Sequence, residues 1–261
     1  MFRYCVLSVP RTGSTWLTNG IGFAYHRFAN YVNLHEFFTP FTNQFSRYQL
    51  DNNNMIKEFT ELNPYEVLNP TDFINSRMDL LLSGDINQPL VLKYMYWTRN
   101  FNETNDLDNL QKIQNHKIII VNLVRDEFES ALSSIMSQLT GINHRWQNPK
   151  GQYWSTSNGE KTEIDISSMN VCALDFQATY FQMKQANIEK QKIADLLGCT
   201  TVNYNNLRFE CIDKKIPFQQ MSFQQMALSR KLYDIGYSEI IKNYDELLEI
   251  RHAVDSKWTL Q

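Results

Sequence analysis

The eight residues Pro10-Arg-Thr-Gly-Ser-Thr-Trp-Leu17 gather one guanidinium, three hydroxyls and a single glycine directly behind an apolar run, Tyr4 to Val9. A strand that opens through a tight turn into a Ser/Thr-rich helix start suits phosphate or sulfate. The first helical N–H groups have no intrahelical partner and carry the positive end of the helix dipole. A Walker A loop is excluded, because its G-x-x-x-x-G-K-[ST] pattern needs a Lys ahead of the hydroxyl residue and a second glycine. Arg11 remains as the fixed cation, with Thr12, Ser14 and Thr15 as hydroxyl donors.

A second set follows in Ile118-Ile-Ile-Val-Asn-Leu-Val-Arg-Asp-Glu-Phe-Glu-Ser-Ala-Leu-Ser-Ser134. Ile118 to Val124 is mostly β-branched and does not alternate, as expected of a parallel strand buried on both faces. Arg125 then stands at the strand's carboxyl end, where open α/β sheets bind ligands. Asp126 and Glu129 predict a capped helix start, with Phe128, Leu132, Ile135 and Leu139 as its apolar stripe. Ser133 lies about two turns into that helix, so Arg125 and Ser133 could grip one phosphate dianion. On its own, the pattern reads more readily as an acid-paired Arg beside a solvated Ser face; downstream of the first loop, the pair becomes specific.

The elements that must position these groups alternate strand and helix, which predicts a parallel sheet with helices on its faces. Strands are expected at Tyr4 to Val9, Pro89 to Tyr94, Lys117 to Val124 and Thr200 to Tyr204, with an extended piece near Asn33 to Phe37. Helices are expected at Ser14 to Phe28 (Leu17, Ile21, Ala24 and Phe28 on one face), Pro70 to Ser83, Asp126 to Leu139, Met169 to Leu197 and from Gln219 onward. Gly198 reads as the stop of the long helix. Asn143 to Ser168, polar but carrying Trp146, Tyr153 and Trp154, is long enough to be a lid or binding loop. Asn52-Asn53-Asn54 reads as compositional bias.

At 261 residues the chain is read as a single domain, a core over about 1–210 and a helical tail over about 211–261. A net charge of −3 leaves no electrostatic footprint for nucleic acid or a membrane surface. No apolar stretch reaches the roughly 18 to 20 residues of a bilayer span, and no signal segment is evident. The expectation is a cytoplasmic protein. Cys5, Cys172, Cys199 and Cys211 show no zinc or C-x-x-C spacing and read as reduced packing residues; no metal site is expected.

Pro-Arg-Thr-Gly-Ser-Thr-Trp-Leu, followed by Arg125 and Ser133 at their spacing, resembles the sulfotransferases that use 3′-phosphoadenosine 5′-phosphosulfate. Four further pieces resemble the bacterial trehalose-type branch: Leu34-His-Glu-Phe-Phe38, Val91-Leu-Lys-Tyr-Met-Tyr-Trp97, Gln138-Leu-Thr-Gly141 with Trp146, and Val202-Asn-Tyr-Asn-Asn-Leu207. The likeness runs to about Leu207. In the last piece Asn205 and Asn206 stand where the family has acids, and the basic segment that completes the 3′-phosphate site in the phenol and steroid branch is missing.

The resemblance implies a three-layer, P-loop-NTPase-like α/β fold. It also implies transfer of a sulfuryl group from 3′-phosphoadenosine 5′-phosphosulfate to a hydroxyl of a small molecule, a carbohydrate or glycolipid, without a metal. Residues 11–16 (Arg11, Thr12, Gly13, Ser14, Thr15 and Trp16) together with Arg125 and Ser133 would bind the cofactor. Glu36 would be the base, and His35 is the alternative because an imidazole is poised near neutral pH. Lys93 would meet a sulfate oxygen or the acceptor, unless its stem packs along a sheet edge. Trp97 and Trp146 would line the acceptor side, and a homodimer is compatible with the family. A P-loop small-molecule kinase and a catalytically inactive nucleotide-binding protein stay open beside this reading.

Overall fold

Five strands, three of them apolar runs, pair in one parallel sheet. The structure, a computed structural model, describes residues 2–34, 37–38, 47–59, 70–96, 106–140, 146–147, 153–154, 169–219 and 237–258. The sheet is built from β1 (Arg3–Ser8), β2 (Val32–Asn33), β5 (Leu90–Met95), β6 (Ile119–Val124) and β9 (Thr200–Asn203) in the order β2-β5-β1-β6-β9. β3 (Arg47–Leu50) and β4 (Ile56–Phe59) form an antiparallel hairpin, as do β7 (Trp146–Gln147) and β8 (Tyr153–Trp154). The helices are α1 (Ser14–Tyr25), α2 (Pro70–Ser83), α3 (Asp106–Asn115), α4 (Glu127–Thr140), α5 (Ala173–Leu196), α6 (Leu207–Asp213), α7 (Tyr237–Ile240) and α8 (Tyr244–Trp258). They fall into two compact units, Met1–Val124 with Ile188–Gln220 and Arg125–Asn187 with Met221–Gln261.

In the first unit successive strand residues face opposite sides of the sheet. Tyr4, Val6, Val91, Val121, Leu123 and Val202 pack with Leu17 and Ile21 of α1 and Leu207 and Cys211 of α6. On the other face Tyr94 reaches Asp106 of α3, and Asn122 reaches Gln191 of α5. The sheet is thus flanked by helices on both faces. From the central β1 the chain winds out to β2 and back to β5, then crosses to β6 and β9. The carboxyl ends of β1 and β6 therefore border the reversal point where such sheets take ligands. At the far edge Asn203 N donates to Glu210 Oε2 at 2.6 Å, Lys214 Nζ donates to the Thr201 carbonyl, and Lys214 pairs with Glu210 at 2.9 Å.

In the second unit Phe128, Leu132, Ile135 and Met136 of α4 pack with Phe176 and Tyr180 of α5 and with Leu247 and Val254 of α8. Polar ties hold α8 in place. Asp255 accepts from Tyr180 Oη at 2.7 Å and from Lys184 Nζ, while Arg251 donates to Asp126 Oδ2 at 3.0 Å with its guanidinium 5.4 Å above the Phe128 ring.

The expected elements recur with ends shifted by a few residues, and α2 falls where the pattern puts it. Gly198 closes α5 with φ 62°, its N–H bonded to the Asp195 carbonyl and that of Cys199 to the Ala194 carbonyl, a Schellman pair. Other expectations need correction. Phe28 lies beyond α1 and is 45% exposed; Leu139 is 54% exposed, its place in the buried face of α4 taken by Met136 and by the small Ser130, Ser133 and Ser137. Asn52 to Asn54 form the turn of the β3–β4 hairpin, where Asp51 Oδ1 accepts from Asn53 N and Met55 N and Asn54 takes φ 58°. Asn143 to Ser168 contains β7 and β8. Gln219 is not helical, and the tail is helical in α7 and α8.

Candidate functional site

The loop between β1 and α1 is shaped by its own residues. Thr12 is fully buried and donates its hydroxyl to the Val9 carbonyl at 2.8 Å, which turns the chain at the strand end. Arg11 and Gly13 then both adopt left-handed backbone, φ 64° and 86°. For Arg11 that conformation is strained, and such strain gathers at binding loops. Gly13 is the N-cap of α1, and no side chain caps the helix. Trp16 N and Leu17 N turn back to the Gly13 carbonyl at 2.9 and 3.2 Å. A Cβ on Gly13 would lie 2.1 Å from Cε2 of Tyr204, whose ring stands edge-on to Trp16 with centroids 5.6 Å apart. Tyr204 thus floors the loop, and the first turn of α1 carries no acidic residue of its own.

Lys93 comes to this loop from β5. It is 2% exposed, on an interior strand, and its ammonium donates to Thr15 Oγ1 at 3.0 Å. Beside it, Ser8 Oγ and Ser14 Oγ both donate to Met95 Sδ, at 3.3 and 3.7 Å. The opposite face of β5 is acidic in character: Tyr94 Oη donates to Asp106 Oδ1 at 2.6 Å and Tyr96 Oη to Glu189 Oε2 at 3.0 Å. Burial first, and then nearby Glu189, raises the Asp106 carboxyl above its ordinary value against the pull of the Tyr94 hydrogen bond. Leu34 N bonds to the Val91 carbonyl at 2.8 Å, Phe37 lies under the guanidinium of Arg77, and Phe38 packs on Tyr94.

In the second unit Arg125 is 8% exposed and donates Nε and a terminal nitrogen to Glu129 Oε2, at 3.2 and 3.0 Å. Asp126 Oδ1 accepts from Glu129 N at 3.1 Å, so Asp126 caps α4 as the sequence predicts. The second arm of a capping box is replaced, since the Glu129 carboxylate serves Arg125. Ser133 is buried on α4 rather than solvated.

No protein-family model and no curated protein matches the chain.

Among the expected site residues, Ser14, Thr15 and Lys93 come together at the loop that Arg11, Thr12 and Gly13 shape. Lys93 does not lie on a sheet edge. Trp16 packs against Tyr204 and Phe218, and Thr12 contributes backbone only, its hydroxyl being spent on Val9. His35, Glu36 and Trp97 lie outside the described residues; Trp146 stands on β7 opposite Trp154. Asn206 takes the N-cap position of α6 without a side-chain cap hydrogen bond, whereas Asn203 Oδ1 accepts from Asn205 N at 2.9 Å and caps the 3-10 turn ahead of that helix. Met95 and Tyr204 escaped the sequence reading. The parallel register of β1 against β5 was the missing signal for Met95, and the close approach demanded by Gly13 the one for Tyr204. Among the described residues no three His, Cys, Asp or Glu side chains gather as a ligand set for a metal, and no helix is long and apolar enough to cross a membrane.

Proposed function

We propose that this protein is a sulfotransferase of the P-loop-like α/β type, moving a sulfuryl group from 3′-phosphoadenosine 5′-phosphosulfate to a hydroxyl of a small molecule, a carbohydrate or glycolipid. The observation that carries the reading is the loop after β1: an uncapped helix start, two left-handed residues, and a buried Lys93 ammonium on the Thr15 hydroxyl. Those groups suit an anion that has no metal to neutralise it.

In this reading Arg11 and the N–H groups at the start of α1 stabilise charge on the departing phosphate oxygen, which a guanidinium can bridge in two places. Thr15 and Lys93 hold the sulfuryl oxygens in line with the acceptor. Arg125 and Ser133 bind the 3′-phosphate, as the resemblance implies, with Arg125 leaving Glu129 to do so. Glu36, or His35 in its place, takes the acceptor proton as the oxygen–sulfur bond forms. No covalent intermediate on the protein is needed, so positioning and charge stabilisation supply the rate.

A thermal-shift and calorimetric comparison tests this. 3′-Phosphoadenosine 5′-phosphate should stabilise the protein without metal, while adenosine 5′-phosphate binds far more weakly and ATP with Mg²⁺ gives no advantage. Arg125→Ala should cost about 1.5 to 3 kcal/mol of affinity for the 3′-phosphorylated nucleotide, the range for hydrogen bonds to a charged group. Equal affinity with and without the 3′-phosphate ends the reading, and a strict need for Mg²⁺ favours the kinase.

A further inference from the structure

Two hydroxyls at the head of the loop end on one sulfur. Ser8 and Met95 occupy matched positions of the parallel β1 and β5, and Ser14 opens α1, so Met95 Sδ sits between the strand end and the helix start. Ser8 and Ser14 are 0% and 5% exposed, whereas Met95 as a residue keeps intermediate exposure. A thioether is a weak acceptor. It orients both hydroxyls yet competes poorly with a charged oxygen, whose hydrogen bonds are about twice as strong as neutral ones. Oxidation reverses that order, because a sulfoxide presents a polar oxygen where the lone pair stood.

We propose that Met95 is an oxidation site that decides whether the loop hydroxyls are available to an anionic ligand; the ligand half of this rests on the function proposed above. The step balances with a peroxide as oxidant. One oxygen atom passes to Sδ as the O–O bond breaks and the S–O bond forms, sulfur gives up two electrons, and hydrogen peroxide leaves as water. A methionine sulfoxide reductase with a dithiol reverses it, the oxygen leaving as water and the thiols closing to a disulfide. In the oxidised protein the sulfoxide oxygen accepts from Ser8 Oγ and Ser14 Oγ. Its partial negative charge also stands beside the start of α1, so a phosphate or sulfate is bound less well.

The chain carries nine methionines, so Met95→Leu, which conserves volume and removes the acceptor, is the control. Brief hydrogen peroxide treatment, peptide mapping by mass spectrometry and calorimetric titration with 3′-phosphoadenosine 5′-phosphate form the test. Met95 should take up one oxygen, affinity should fall about tenfold or more, the reductase should restore it, and the affinity of Met95→Leu should not move with peroxide. The proposal is overturned by an oxidised Met95 that leaves affinity unchanged, or by a Met95 that stays unmodified while other methionines oxidise. If the reduced protein does not bind the nucleotide at all, the proposed function fails, and the amide resonances of Ser8 and Ser14 decide the Met95 proposal alone. They shift with peroxide in the wild type and not in Met95→Leu if it holds, and stay put in both if it does not.

Discussion

Gly13 meets two demands that no other residue type meets together, a left-handed backbone and the absence of a Cβ against the Tyr204 ring. Gly13→Ala should therefore lower stability by at least the roughly 1 to 3 kcal/mol of a non-glycine residue held in that region. Adding Tyr204→Ala should recover part of the steric loss and none of the backbone loss, read from urea midpoints of the single and double variants. An unchanged midpoint in Gly13→Ala would contradict the loop geometry. His116 offers a second residue-scale test. Burial, with the cation of Arg3 behind it, holds its imidazole below the ordinary value of 6.5. Arg3 is itself fully buried and donates to the His116 carbonyl at 2.8 Å, and burial lowers its own value to about 10. Above pH 6.5 the imidazole is neutral folded and unfolded, and stability is fully present. Below it the unfolded chain binds a proton that the folded one refuses, so stability falls as pH drops toward the folded value. His116→Gln should flatten that part of the melting-temperature profile between pH 7.5 and 5.5, and a profile identical to wild type would remove His116 from the account.

At the scale of elements, α8 is held by Arg251 on Asp126 and by Asp255 on Tyr180 and Lys184, while Arg251 and Asp255 pair within the helix itself. The Arg251, Asp126 and Asp255 side chains are about a third exposed, so the ion pairs of Arg251 are worth little each and the tie is a sum of small parts. Arg251→Met, which keeps the stem over Phe128 but removes the charge, should cost about 1 kcal/mol in a denaturant melt at low salt and less at high salt. A loss that does not depend on salt would place the effect in packing instead. How far such elements could be read in advance depended on their signal. Ile118 to Val124 and Pro70 to Ser83 carry apolar patterns that only one element satisfies, and β6 and α2 follow. α3 was missed because its buried positions include Asn109 beside Leu110 and Ile113, a stripe too thin to stand out. The β3–β4 hairpin was missed because Asp51 and Asn54 act through turn chemistry that a run of asparagines hides. In the site, the contiguous residues Arg11, Thr12, Gly13, Ser14 and Thr15 are legible together. Met95 and Tyr204 reach the same loop only through sheet pairing that spans the chain.

At the scale of the whole molecule, the pairing order leaves β9 outermost among the described strands, and the consequence lies in what Glu210 and Lys214 occupy. Thr201 and Asn203 are two apart, so their backbone groups turn to the same side, and the Asn203 N–H bonded to Glu210 cannot also serve β6. These groups are the rung sites onto which a foreign strand would add, and α6 fills them with its own charged pair. Phe209 and Ile212, 76% and 65% exposed on the same helix, would reward any chain that docked there. Replacing both Glu210 and Lys214 with Ala should turn a guarded border into a sticky one. Sedimentation velocity should then show larger species growing with concentration where the wild type shows none. If the double variant sediments like the wild type across that range, the short length of β9 alone protects the border and the charged pair serves only to anchor α6.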